Sequence, residues 1–204
     1  MKTVNALARL SDLRTAAFTT NDAAAALGIG RAHASQTLGR LATARQIVWL
    51  RRGLWAFADK VSPLLLPVYL TAPSPCYLSL QSALYFHGMV SQMPQRHYVV
   101  SLGRSRLIRT PLGAVSVHHV APSWFTGFDV DARTGVPMAT PAKALADFLY
   151  LTPARSRLFA ALPEIELPKG FKWSEVRRFA RRIAAPRRRA MVEKRLRALM
   201  SQYS

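Results

Sequence analysis

Two glycines, Gly28 and Gly30, divide the stretch from residue 18 to residue 57 and constrain the fold more than any other feature. A helical run must end at Gly28, because glycine accepts the positive φ of a helix C-terminus without steric cost. Gly30 lets the chain turn again, and a second helix is predicted from about Arg31 to Arg45. A further helix is predicted upstream, from near the N-terminus to about Ala17. The pattern therefore predicts three helices, two of them joined by a tight turn.

The residues around Arg51-Arg52-Gly53 alternate between polar and apolar character, which predicts a β-hairpin. Upstream, Thr19 or Thr20 is expected to cap the helix that ends at Gly28. Helix, turn, helix and hairpin in this order are typical of a winged helix-turn-helix. This part of the chain is therefore predicted to bind DNA.

The second helix of the pair has a small polar face. This face has little bulk that would hinder its entry into a major groove. Gln36 is suited to pairing with adenine, and Arg40 could reach guanine or phosphate. The hairpin arginines suit phosphates or a minor groove. Winged helices also dock proteins, and that alternative stays open. The candidate DNA-binding residues are Arg31, Ser35, Gln36, Arg40, Thr43, Arg51 and Arg52.

The charge of the chain favours a polyanionic partner. With 29 basic and 10 acidic residues the net charge is +19, and the pI is near 11.5. Nucleic acid is the first candidate, and an acidic protein or an anionic membrane surface is the second. Residues 1–60 carry nine basic and three acidic side chains, residues 61–150 six and three, and residues 151–204 fourteen and four. The two ends thus carry most of the excess charge.

Cysteine usage and hydropathy predict a cytoplasmic protein. Cys76 is the only cysteine of the sequence, so an internal disulfide is excluded. The N-terminal residues lack the long apolar core of a signal peptide, and no apolar run approaches the ~20 residues of a membrane span. We therefore expect no membrane partner.

Three segments of an α+β fold are predicted. Residues 1–60 are expected to form the winged helix-turn-helix, residues 61–152 a mixed α/β domain, and residues 153–204 basic helices packed on that domain. Ser62-Pro63 is predicted to start a short helix, and the proline-rich residues 58–76 contain the boundary between the first two domains.

The middle segment is predicted to contain two longer helices and a small antiparallel sheet. Ser79 is expected to cap the first of these helices. Thr140-Pro141 is expected to start the second, in which Lys143 and Asp147 form a surface pair. The strands of the sheet are predicted over residues 95–102, 105–110 and 114–120.

No catalytic residue, metal site or cofactor is predicted. The strand histidines His97, His118 and His119 lack a cysteine or carboxylate cluster at metal-ligand spacing. Asp129 and Asp131 could bind a divalent ion, as in a metal-dependent nuclease, but aspartates in a turn are the commoner explanation. The protein is therefore expected not to be an enzyme.

The order of motifs resembles that of the AbiEi family of antitoxins and transcriptional regulators. The resemblance covers about two-thirds of the chain, from about Thr15 to Leu151, through LRRGLWAF, YLSLQSALYFHGMVSQMP, HYVVS, TPLGAVSVHHV, FTGF and VPMATPAKALADFLY. Ala142 stands where the family usually has an acidic residue.

This resemblance implies an antitoxin of a bacterial type IV toxin–antitoxin system. Such a protein represses its own promoter on double-stranded DNA and counteracts a nucleotidyltransferase-like toxin. A winged-helix regulator with a ligand- or partner-sensing domain and no toxin is the alternative, and a nuclease is the third.

After Pro153 the chain becomes rich in arginine. Ser174 is expected to cap one helix, and Pro186 either ends that helix or begins the last one. The arginines fall mainly off the apolar faces, so they are either solvated or form a second nucleic-acid or partner surface. They are Arg177, Arg178, Arg181, Arg182, Arg187, Arg188 and Arg189.

Overall fold

The computed structural model describes residues 3–151 and 165–203. Within these residues the chain forms eight α-helices and two β-sheets, so the predicted α+β class is confirmed. The chain divides into two compact units, Met1–Leu70 with Arg109–Ala114, and Thr71–Ile108 with Val115–Ser204. The start of the predicted basic segment, after Pro153, lies outside the described residues.

The first unit packs three helices against a three-stranded antiparallel sheet of order β1-β3-β2. Its core is apolar, with Phe18 and Phe57 in ring contact at 5.3 Å between centroids. A fourth helix follows the sheet in the chain. In chain order the elements are α1 (Thr3–Ser11), β1 (Ala17–Thr19), α2 (Thr20–Leu27), α3 (Arg31–Thr43), β2 (Val48–Arg51), β3 (Leu54–Ala56) and α4 (Leu66–Thr71).

The start and end of α2 follow from local side-chain chemistry. Thr19 is the N-cap, and its Oγ1 accepts a hydrogen bond from the Asp22 backbone N–H at 3.2 Å. The Asp22 carboxylate accepts one in return from the Thr19 N–H at 2.7 Å, which completes a capping box. Gly28 ends the helix with φ of +68°. The predicted cap and the predicted glycine stop are confirmed.

Two helix boundaries differ from the prediction. The first helix was expected to continue to Ala17, but α1 ends at Ser11 and residues Ala17–Thr19 form a strand. This strand pairs with β3 and places Phe18 in the core, so sheet pairing overrides helical periodicity there. The short helix expected from Ser62-Pro63 begins later, at Leu66, after a turn.

Residues of the second unit form four helices and most of a six-stranded sheet. A 3₁₀ turn, Pro122–Trp124, is also present. The elements are β4 (Cys76–Leu78), α5 (Leu80–Phe86), β5 (His97–Ser101), β6 (Arg106–Thr110), β7 (Gly113–His119), β8 (Phe128–Val130), β9 (Pro137–Ala139), α6 (Pro141–Leu151), α7 (Trp173–Arg181) and α8 (Pro186–Met200).

The sheet of the second unit is larger than predicted and is mixed rather than antiparallel. Its order is β6-β7-β5-β4-β9-β8. β5 runs parallel to β7, and β4 runs parallel to β9, whereas β4–β5 and β8–β9 are antiparallel. The prediction of a small antiparallel sheet was wrong for two reasons. The strands β4, β8 and β9 have three residues each, too few for an alternating pattern, and β7 lies between β6 and β5, so that the two predicted strands β5 and β7 run parallel.

The helices α6, α7 and α8 share one apolar core with the inner strands of the sheet. Pro186 is the first residue of α8, where its missing N–H costs nothing, so it begins a helix rather than ending one. Ser174 lies inside α7 and not at its cap, because the helix already starts at Trp173. The apolar side of α7 is formed by Val176, Phe179 and Ala180.

Candidate functional site

The outer face of α3 is the first candidate site. Ala34, Leu38 and Leu41 are fully buried on its inner face, which leaves the predicted contact residues outside. The five predicted contact residues that lie on α3 are all exposed. They are Arg31, Ser35, Gln36, Arg40 and Thr43.

The outer face of α3 has little bulk. A Cβ placed on Gly39 would meet no heavy atom within 4 Å. Gln36, Gly39, Arg40 and Thr43 line a shallow depression on this face. The Thr43 hydroxyl donates to the Gly39 carbonyl at 3.0 Å, so toward a ligand it acts as an acceptor.

The β2–β3 hairpin separates the two arginines that the sequence places together. Arg52 is exposed at the tip beside Gly53, which has φ of +73°, whereas Arg51 is half-buried at the end of β2. The Gly53 carbonyl accepts a hydrogen bond from the Thr20 N–H at 3.0 Å, which fixes the tip against the start of α2. Arg52 is therefore the more accessible of the pair.

Trp49 on β2 is a surface aromatic that the sequence prediction missed. Its side chain is 49 % exposed, while its cross-strand partner Trp55 is buried and donates from Nε1 to the Thr20 hydroxyl at 3.0 Å. The pairing register shifts between Trp49 and Arg51. This irregularity breaks the alternation from which the side of the hairpin would be predicted.

The C-terminal arginines form a second candidate site. Six of the seven predicted residues are exposed, and Arg189 is half-buried. The Arg188 guanidinium lies 4.7 Å from the centre of the Tyr150 ring, so this arginine helps to hold α8 against α6. Arg177, Arg181 and Arg197 line a groove between α7 and α8, together with Ala180, Glu193, Leu196 and Met200.

Lys143 and Asp147 form a buried ion pair, so the prediction of a surface pair was wrong. Lys143 Nζ lies 2.7 Å from Asp147 Oδ1, and both side chains are fully buried. Their neighbours on α6 are apolar on every side of the helix, including Ala144, Leu145 and Phe148. An all-round apolar helix is buried, and this pattern could have shown that its two charged residues pair inside the protein.

The Asp147 carboxylate accepts four hydrogen bonds. Oδ1 accepts from Trp124 Nε1 at 2.6 Å and from Lys143 Nζ, and Oδ2 accepts from Ser79 Oγ at 2.7 Å and Tyr77 OH at 3.0 Å. Lys143 Nζ also donates to the Trp124 carbonyl at 3.0 Å. Ser79 was expected to cap α5, but its hydroxyl makes no cap bond and binds Asp147 instead.

Burial sets the ionisation of this cluster. Desolvation lowers the pKa of Lys143, and the nearby Asp147 carboxylate opposes that shift. Desolvation also raises the pKa of Tyr77, and the charge of Asp147 adds to the effect. Lys143 and Asp147 are both closed off from solvent. Because the hydrogen-bond partners of Asp147 lie on or next to β4 and in the 3₁₀ turn, the cluster joins these elements to α6.

The remaining polar candidates are engaged in local structure. His118 Nε2 lies 3.0 Å from the Ser116 hydroxyl, and burial lowers the pKa of His118 to about 4. Asp131 Oδ1 accepts from the backbone N–H groups of Arg133 and Thr134, which makes it a turn residue as predicted. No three His, Cys, Asp or Glu side chains meet at a metal-binding distance within residues 3–151 and 165–203.

None of the described helices combines the length and apolar character that crossing a membrane requires. The chain matches no protein-family model and no curated protein.

Proposed function

We propose that the chain is a DNA-binding transcriptional repressor whose first unit is a winged helix-turn-helix. In this proposal α3 is the recognition helix, and the β2–β3 hairpin is the wing. The observation that carries it is the outer face of α3, where Arg31, Ser35, Gln36, Arg40 and Thr43 are all exposed beside a groove with little bulk. A helix of this kind fits the major groove of B-DNA.

The residues of α3 divide into those suited to bases and those suited to phosphates. Gln36 offers a donor and an acceptor to adenine, and Arg40 matches guanine or a phosphate. Arg31 lies in the first turn of α3, where backbone N–H groups also favour an anion. Arg52 at the hairpin tip adds a phosphate contact that does not depend on sequence.

Binding to the DNA upstream of the chain's own operon tests this proposal. Fluorescence anisotropy with that DNA and with a shuffled duplex, over a range of salt concentrations, should show a preference for the upstream DNA. Equal affinity for both duplexes would contradict the proposal.

Two single variants separate base contacts from phosphate contacts. Gln36→Ala should reduce the preference by about 1 to 3 kcal/mol, whereas Arg52→Gln should weaken binding to both duplexes and lower the salt slope by about one. Arg133→Gln, which removes an exposed arginine from the β8–β9 turn, is the matched control and should leave binding to both duplexes unchanged.

The antitoxin role is the second part of the proposal, and it is supported by the ordered motifs between Thr15 and Leu151. In this part the repressor counteracts a nucleotidyltransferase-like toxin encoded beside it. Co-expression with the product of the neighbouring gene should restore growth that this product alone arrests. A neighbouring gene that encodes no nucleotidyltransferase would favour the alternative, a regulator that senses a ligand or another partner.

A further inference from the structure

The exposed arginines of α7 and α8 have no counter-ion in the part of the protein that the structure describes. Between residues 173 and 200 the chain carries nine arginines, one lysine and two glutamates. The ion pair found in the described residues is that of Lys143 with Asp147, so neither Glu175 nor Glu193 lies within ion-pair distance of a described arginine. Among the described residues, this surface therefore presents an excess of positive charge to solvent.

The arginines of α7 lie on the side opposite its apolar residues. At about 100° per residue, the four arginines from 177 to 182 fall within about 140° of the helix circumference. Val176, Phe179 and Ala180 are buried on the other side. The helix therefore holds its guanidinium groups along one solvent-facing stripe.

The second helix brings a further arginine to this stripe. Arg197 of α8 lines the groove with Arg177 and Arg181 of α7, above a floor of Ala180, Leu196 and Met200. Of the described residues that line the groove, Glu193 is the acidic one. Three arginines thus line one depression, and their positions are set by the packing of α7 on α8.

We propose that this groove, together with the exposed Arg182 at the end of α7 and Arg187 at the start of α8, binds the phosphate backbone of double-stranded DNA. Guanidinium groups bind phosphate oxygens in pairs, and the preference for arginine over lysine in these helices suits that geometry. The choice of DNA as the duplex rests on the proposed function of the first unit. The surface itself belongs to the second unit and makes a separate, sequence-independent contact.

Aromatic placement distinguishes a duplex from a single strand. Proteins that hold single strands stack bases on exposed aromatic rings. Here Trp173 packs against Phe171 at 5.1 Å. Tyr203 is 38 % exposed, but its hydroxyl donates to the Ile165 carbonyl, which ties the ring to the fold. None of the described residues that line the α7–α8 groove is aromatic. Its chemistry matches a backbone and not unstacked bases.

The arginines at the start of α8 support a binding role over a folding role. Arg187, Arg188 and Arg189 occupy the first turn, at the end where the helix dipole disfavours positive charge. For Arg188, the unfavourable interaction with the helix dipole is offset by the contact with Tyr150. For Arg187, which is exposed, the structure offers no stabilising contact within the described residues.

The test uses the full chain with Arg40→Gln and Arg52→Gln, which removes two of the proposed contacts of the first unit. Anisotropy with a random-sequence DNA duplex should still show salt-dependent binding. Adding Arg181→Gln and Arg197→Gln should weaken that binding about tenfold at low salt and lower the salt slope by about two. Arg104→Gln with Arg133→Gln removes two exposed arginines elsewhere in the second unit and should change neither quantity.

Several outcomes would overturn the proposal. These are an unchanged slope in the Arg181/Arg197 variant, an equal loss in the Arg104/Arg133 control, or polyglutamate competing as well as DNA at equal charge. Double-stranded RNA bound more tightly than DNA of the same length would also overturn it. Arg181→Lys with Arg197→Lys provides a second variant that keeps the charge, and it should retain the salt slope while losing affinity.

Failure of this proposal differs from failure of the proposed repressor function. The repressor function fails if the unmodified chain does not prefer its upstream DNA. The α7–α8 contact fails if random-duplex binding by the Arg40/Arg52 variant is insensitive to Arg181 and Arg197. Each result can occur without the other.

Discussion

The core of the first unit is built from apolar side chains such as Phe18, Leu38 and Phe57, whereas the core of the second unit encloses the charged pair of Lys143 and Asp147. In the first unit, the start and end of α2 are determined by Thr19, Asp22 and Gly28, which lie within or next to that helix. In the second, the Asp147 carboxylate joins residues that are 70, 68 and 23 positions away in the chain. The second unit thus depends on one side chain to a degree that the first does not.

A buried ion pair is costly to form and more costly to break. Its mutual attraction roughly offsets the loss of hydration, so the intact pair adds little net stability. Removing one partner leaves the other charge buried without compensation. The contrast between the two units therefore predicts that single substitutions act most strongly at Asp147.

Asp147→Ala should give the largest effect on stability. It leaves the Lys143 ammonium buried, and it removes the acceptor for Trp124, Ser79 and Tyr77. We expect a loss of about 3 to 5 kcal/mol in the free energy of unfolding of the second unit. Urea denaturation with peptide-resolved hydrogen exchange would locate the loss in α6 and β4 and not in α2 or α3.

A double variant shows whether the uncompensated charge causes this loss. Lys143→Met with Asp147→Ala removes both charges and leaves the three other donors without their acceptor, just as Asp147→Ala does. It should be less destabilised than Asp147→Ala by about 1 kcal/mol or more. A double variant as unstable as the single one would mean that the hydrogen bonds, and not the charge, dominate.

Two glycines with similar backbone angles sharpen the comparison. Gly127 has φ of +78°, and a Cβ there would lie 2.6 Å from Phe179 Cζ and 3.2 Å from Lys143 Cγ. Gly28 has φ of +68° and open space around it. Gly127→Ala should lower the free energy of unfolding by about 3 kcal/mol, because the backbone is strained and the methyl group clashes with Phe179. Gly28→Ala should lower it by about 1 kcal/mol, from backbone strain alone.

Thermal unfolding of the two alanine variants, followed by near-ultraviolet circular dichroism, measures this difference. Equal losses would mean that α7 shifts away from Gly127 without cost. The pair is well matched, because both substitutions add one methyl group at a left-handed glycine.

Acid should destabilise the second unit through His118. Its pKa in the folded protein is about 4, below the ordinary value of 6.5, because the ring is largely buried. Between these two values the unfolded chain binds the proton and the folded chain does not, so stability falls as the pH falls through this window. The contribution is fully present above pH 6.5.

We expect His118 to account for a loss of about 2 kcal/mol between pH 7 and pH 4, reduced from the full pKa difference because the ring is partly exposed. His118→Phe keeps the ring against Tyr98 and removes the titration. A plot of the urea midpoint against pH should be flatter for the variant. A residual slope should remain from His97, because burial also lowers the pKa of that residue. An unchanged slope would contradict this assignment.

The same contrast explains which features could be predicted from the sequence. In the first unit Thr19, Gly28 and the Arg52-Gly53 turn act within a few residues of their own positions, so local rules identify them. The exposed residues of α3 followed from helical periodicity as well. Strand β1 was missed because its partner β3 lies more than thirty residues away.

In the second unit the decisive contacts are not local. Lys143 and Asp147 are four residues apart, and this spacing alone cannot distinguish a solvated pair from a buried one. Their burial depends on Trp124, Tyr77 and the packing of α7. The short strands β4, β8 and β9 are likewise defined by their neighbours in the sheet and not by their own patterns.

Thr19→Ala should have the smallest effect of these changes. It removes the side-chain oxygen that accepts from the Asp22 N–H at 3.2 Å, and it also removes the contact of the Thr19 hydroxyl with the Asp22 carboxylate at 2.8 Å. Loss of an N-cap of this kind costs about 1 kcal/mol, and the solvent-exposed position leaves water free to replace part of the lost bond. Hydrogen exchange should show faster opening confined to α2 and the adjoining start of α3.

Thr19→Ser keeps the hydroxyl and serves as the control, which should exchange at nearly the rate of the unmodified chain. If Thr19→Ala instead raised exchange in α6, the stability of the two units would be linked, and the separation between local and long-range determinants would have to be abandoned.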